Sequence, residues 1–205
     1  MPNFIRPDAD LVRTGHSSIG VPPAISTGAS VFGVIGEATN SDADFVTSNV
    51  GTIRDVVAVG LGNPATTPAV DVNHFLRVRA VAAAAGRNVG FQCELRQGYA
   101  SESSLGTYIA TCEGLAVPTT STRYRHRLTP TEAALITDYT DLQLRFLLFC
   151  EKDGASSTPA AIRIVYAELE VPDINDRSQN IKLTESELRF GVPDPYYPRG
   201  VRHAG

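Results

Sequence analysis

Tryptophan is absent from the 205-residue chain, lysine occurs only at Lys152 and Lys182, and cysteine only at Cys93, Cys112 and Cys150. The lack of Trp removes the largest ring face available for stacking on a sugar. The cysteines have no CxxC spacing and each falls in a strand-like stretch, so buried free thiols are expected rather than a disulfide framework or a thiolate metal site. No GxxxxGK phosphate cradle occurs, and Gly60-Leu61-Gly62 lacks the third glycine and the following helix of a dinucleotide fingerprint. His16, His74, His126 and His203 are scattered without HExxH or HxH spacing, and there is no GxSxG elbow. These residues point to no enzyme and to no cofactor.

Positive charge is not in excess either. Lys plus Arg number 18 against 22 for Asp plus Glu, a formal charge of -4. Nonspecific nucleic-acid binding needs a clustered basic surplus, so no nucleic-acid partner is expected. No apolar run approaches the roughly 18 residues that a spanning helix requires. Residues 1–10 (MPNFIRPDAD) have neither the basic start nor the apolar centre of a secretory signal. No membrane partner is expected, and the chain reads as one used in an aqueous compartment.

What the sequence does contain is alternation. In residues 89–97 (VGFQCELRQ), Val89, Phe91, Cys93 and Leu95 share one face while Gln92, Glu94 and Arg96 share the other. Residues 74–81 place Leu76, Val78 and Ala80 inward with Arg77 and Arg79 toward water, and residues 142–149 place Leu142, Leu144, Phe146 and Leu148 opposite Gln143 and Arg145. Residues 161–171 begin with Ile162, Ile164 and Tyr166 as one row and finish with Leu169 and Val171 as another, a parity change that predicts a bulge near Ala167 or burial on both faces. Weaker strands are expected at 31–35, 45–48, 54–59, 107–112 and 121–128. About nine short strands with 17 Gly and 13 Pro suit an all-β, antiparallel two-sheet sandwich of jelly-roll type. One short helix is expected from Pro130 to near Asp138, with Thr129 as cap and Glu132 reaching back to it. Arg123, Arg125 and Arg127 form a basic strip on one strand, facing either solvent or an acidic neighbour.

The ends differ from the middle. Residues 1–30 and 174–205 are proline-punctuated and lack sustained periodicity, which predicts extended arms flanking a sandwich over 31–173. In the tail, Tyr196 and Tyr197 lie between Pro195 and Pro198, a stiff aromatic segment suited to docking on another protein. Glu37, Asp42 and Asp44 offer hard oxygen ligands for calcium, although such carboxylates more often bond nearby backbone amides in turns.

Taken in order, RPDAD at 6–10, VFGVIGEATNSDADFV at 31–46, HFLRVRA at 74–80, LTPTEAALITDYTDLQLRF at 128–146 and AELEVPD at 167–173 resemble a β-sandwich module of tailed-bacteriophage virion structural proteins. The resemblance covers residues 6–173 and implies a jelly-roll or galactose-binding-like sandwich, an architecture that also serves carbohydrate-binding modules. It implies a non-enzymatic virion component assembled in the host cytoplasm. The expected role is a homo-oligomeric head decoration or cement protein that contacts the major capsid or other virion proteins, a trimer being one form that the threefold positions of capsid lattices would suit. The alternative is a carbohydrate-binding module of a tail fibre, with a glycan as partner. The chain departs from the pattern at Gly36, where an Asp often precedes the Glu, and at Tyr166, where a Trp is common.

Overall fold

A computed structural model describes residues 3–15, 23–26, 30–38, 41–49, 54–68, 71–84, 89–150 and 161–172. The strands are β1 (Asn3–Ile5), β2 (Pro7–Gly15), β3 (Ala24–Ile25), β4 (Val46–Thr47), β5 (Asp55–Leu61), β6 (Phe75–Ala82), β7 (Val89–Gln97), β8 (Thr107–Gly114), β9 (Thr122–Arg127), β10 (Leu142–Cys150) and β11 (Ile162–Val171). Two short helices, α1 (Val31–Ile35) and α2 (Pro130–Ala133), interrupt them.

Pairing is nested and antiparallel: β7 with β8, β6 with β9, β5 with β10, and β4 with β11. Successive pairs alternate between two sheets, the first ordered β3-β4-β11-β6-β9 with β1 also on β11, the second ordered β2-β5-β10-β7-β8. An antiparallel ribbon folded over in this way is a jelly roll. The inner faces meet in one core, with Leu76, Val78 and Ala80 of β6 and Leu169 and Val171 of β11 against Phe91, Cys93 and Leu95 of β7 and Leu144, Phe146 and Leu148 of β10. These are the rows that alternation selects, because successive strand side chains point to opposite faces.

The parity change in β11 is a register shift between Ile164 and Tyr166, slightly earlier than the expected Ala167. It turns Tyr166, Glu168 and Glu170 to the outer face while Ala167, Leu169 and Val171 stay inside. The capping box is present: Glu132 N donates to Thr129 Oγ1 at 3.2 Å, and Thr129 N donates to the Glu132 carboxylate at 2.7 Å. α2 is shorter than expected, ending at Ala133.

Two expectations need correction. Residues 31–35 form a helix, not a strand. Ser30 caps it locally, and the Asp10 carboxylate of β2 accepts from Val31 N at 2.9 Å and Phe32 N at 2.8 Å, a cap supplied across 21 residues. Residues 3–15, expected within an arm over 1–30, are extended but paired: β1 lies on β11 and β2 on β5. Pro7, which denies a ladder its donor, stands at the first residue of β2, where proline is tolerated. A sandwich beginning at residue 31 would therefore lack both strands. The tail over 174–205, with Pro195, Tyr196, Tyr197 and Pro198, lies outside the described residues.

Candidate functional site

The outer face of the first sheet concentrates charge. β6 contributes Phe75, Arg77 and Arg79, and β9 pairs with it so that Arg127, Arg125 and Arg123 stand directly opposite these three. β11, on the other side of β6, contributes Tyr166, Glu168 and Glu170. A cleft of about 310 Å³ lies on this face, lined by Arg77, Arg79, Arg123, Arg125, Tyr166 and Glu168 among others.

Charge is neutralised unevenly across this face. On the β11 side, Arg77 bonds Glu170 and lies 3.7 Å from Glu168, whose carboxylate also accepts from Tyr166 Oη and lies 3.4 Å from Arg6. Burial, and secondarily the bond to Glu168, pushes the Tyr166 hydroxyl up to about 12, so it remains a donor at any ordinary pH. Arg79 bonds Asp42 at 2.8 Å and Ser121 at 2.7 Å. On the β9 side, Arg123, Arg125 and Arg127 are exposed and have no carboxylate partner among the described residues. Arg127 bonds the Asn73 side chain at 3.1 Å, and Arg125 lies 3.5 Å from the centre of the Phe75 ring.

Arginine also covers the aromatic faces. Phe75 lies under Arg125, Phe4 under Arg6 at 5.3 Å and Phe45 under Arg163 at 4.4 Å. Each of these three rings carries a guanidinium, which stacks there favourably. A sugar ring stacking on that side of them would have to displace it, whereas Tyr108 is 46% exposed.

The outer face of the second sheet carries arginines at equivalent alternating positions, but they are enclosed. Alternation places Arg145, Glu94 and Arg96 opposite the core, which is correct, yet all three are buried: the loop over 98–106 folds across them. Arg145, 4% exposed, bonds Glu94 at 2.9 Å and Glu102 at 2.6 Å and 2.7 Å. Arg96 bonds the same Glu94 oxygen at 2.7 Å, and Tyr99 Oη donates to Glu102 at 2.8 Å. The Arg145 hydrogen bond holds the Glu102 carboxyl below its usual range, and burial raises the Tyr99 hydroxyl. Every charged head here is matched, so the cluster is a clamp for the loop.

The residues singled out as calcium ligands are not brought together. Asp42 faces Arg79 and Ser121 instead, and Glu37 and Asp44 are half-buried elsewhere on that segment. Among the described residues no group of three or more His, Cys, Asp or Glu side chains could hold a metal ion. Gly36 closes α1; a Cβ there would lie 2.5 Å from the Pro7 carbonyl oxygen. Cys93 and Cys112 are free, buried and directly opposite each other in β7 and β8. The sequence strip at 123–127 identifies half of the charged face. The other half, Arg6 with Tyr166 and Glu168, depends on the register shift in β11 and has no local signal.

No protein-family model matches the chain, and no curated protein matches it. Among solved structures, the family 30 carbohydrate-binding module of a cellulosomal cellulase of Clostridium thermocellum is similar, with a TM-score of 0.42 and 10% identity over 82% of this chain and 96% of that one.

Proposed function

We propose that this chain is a non-enzymatic structural component of a tailed-bacteriophage particle, a homo-oligomeric decoration or cement protein that works through protein contacts. The observation that carries the reading is the β9 side of the first sheet, where Arg123, Arg125 and Arg127 stand exposed in a row with no carboxylate partner among the described residues. A row of desolvatable guanidiniums on a rigid strand suits a surface that meets an acidic protein neighbour, because arginine forms bidentate pairs with carboxylates. The resemblance of the five quoted segments to virion modules supplies the setting.

Sedimentation velocity of the full chain tests the assembly reading. An oligomer that dissociates in high salt is expected, with a trimer the favoured size; a monomer at every concentration overturns it. The second reading, a glycan-binding module, is favoured by the polar cleft with Tyr166, Glu168 and four arginines on a sheet face. Against it stand the guanidinium-covered rings. Binding on an array of host cell-surface glycans, abolished in Arg125→Ala, would establish it in place of the assembly reading.

A further inference from the structure

The β9 arginines repeat every second residue, so their head groups recur at about 6.8 Å along the strand. A partner strand with carboxylates at alternate positions has the same period. The first sheet already shows carboxylates at alternate strand positions gathering a guanidinium of the next strand: Glu168 and Glu170, two residues apart on β11, both reach Arg77 on β6. The chain carries a second Glu-x-Glu step outside the described residues, at Glu185 and Glu187 in the segment 184–188 (TESEL), again alternating with a small and an apolar residue.

Position favours the same encounter. β11 ends at Val171 beside the pair Phe75 and Arg127, so the chain leaves the sheet at the Arg127 end of β9. From β11 to β9 is two strand spacings, about 10 Å. Residues 172–184 can span roughly 40 Å when extended, at about 3.3 Å each.

We propose that the arginine row of β9 is the docking site for segment 184–188 of this chain, with Glu185 and Glu187 pairing Arg123, Arg125 and Arg127 as Glu168 and Glu170 pair Arg77. The inference rests on the reading above in taking this face as a contact surface. Docked in its own copy, the segment neutralises the face. Docked in a neighbour, it ties two copies together.

The test is chymotryptic cleavage of the full chain after Leu188 and Phe190, which flank the glutamates on one side. Exposed ion pairs are individually weak, so losing two of them should speed cleavage roughly tenfold. That acceleration is expected in E185K/E187K, in R123E/R125E, and in the unaltered chain at high salt. Combining all four substitutions reverses both sides and should restore the original rate. Equal cleavage of the unaltered chain and E185K/E187K overturns the proposal, as does a combined variant cleaved as fast as either parent. Should R123E/R125E lose its cooperative melt, E185K/E187K still decides, because its changes lie outside the described sandwich strands. Protected cleavage in a chain that sediments as a monomer keeps this inference and removes the assembly reading; an oligomer cleaved at the same rate with and without the glutamates does the reverse.

Discussion

The two outer faces of this sandwich use the same residue in opposite ways. Arg145 of the second sheet is 4% exposed and held by two carboxylates, whereas Arg123, Arg125 and Arg127 of the first sheet are exposed and held by an aromatic ring and an amide. Both sets sit at outward positions of antiparallel strands, so alternation alone treats them alike. The difference comes from what crosses above: the loop over 98–106 seals one face, and no described segment seals the β9 side of the other. A sealed guanidinium is part of the fold, while an open one retains its capacity to bind.

The largest break in that comparison is Arg145→Met. Methionine fills similar volume but takes from buried Glu94 one of its two arginines and from Glu102, on the loop, its bidentate partner; removing one partner of a buried pair costs about 3–5 kcal/mol, and with Arg96 still on Glu94 the low end applies. Urea unfolding should show a loss of that size. Adding Glu102→Gln, which neutralises the carboxylate left without a partner while Arg96 keeps Glu94, should recover part of it, and no recovery would mean that Arg145 acts by packing alone.

Gly106→Ala should rank next. Gly106 has φ of 61°, and a Cβ there would stand 2.3 Å from the Gln97 carbonyl oxygen. Such strain costs of order 1–3 kcal/mol, and the loop can relieve it by lifting. Hydrogen exchange at Tyr99, whose N–H is bonded to the Gln143 side chain at 2.9 Å, should then quicken well beyond the change in global stability. Equal changes in both would mean that the loop and the sandwich open together.

Acid sharpens the same contrast. The Glu102 carboxyl, ordinarily near 4.5, is held lower in the folded chain chiefly by its hydrogen bond from Arg145. Below pH 4.5 the unfolded chain takes up this proton before the folded one does, so the stabilisation present at neutral pH is lost as pH falls from there through the folded value. The unfolding free energy should decline across that window and decline less in Arg145→Met. An identical slope in the two proteins would remove Glu102 as its source.

Much of this architecture is legible in the sequence because it rests on period. The inward rows of β6, β7 and β10 follow from strict alternation, and the capping box at Thr129 and Glu132 follows from four adjacent residues. What is not legible is supplied from a distance. α1 reads as a short apolar strand because its decisive cap, Asp10, lies on another strand. Residues 3–15 read as an arm because prolines and weak periodicity conceal two edge strands whose partners are β11 and β5. The quoted segments of the resemblance hold one another: Arg6 lies 3.4 Å from Glu168, Asp10 caps α1, Asp42 bonds Arg79, and His74 lies 2.6 Å from Tyr139 Oη. They specify the frame, and for that reason say little about the surface it presents.

The smallest expected effect belongs to Arg123→Ala and Arg125→Ala, and its smallness is the point. Exposed positions outside a buried network usually change stability by no more than about 0.5 kcal/mol. Arg125 adds its contact with Phe75, and an exposed cation–π pair contributes about 0.5–1 kcal/mol, so Arg125→Ala should cost slightly more than Arg123→Ala. Both variants should therefore melt close to the parent while altering the salt dependence of self-association. If instead either costs as much as Arg145→Met, the β9 arginines are as deeply engaged as those of the second sheet, and the division into a sealed face and an open one fails.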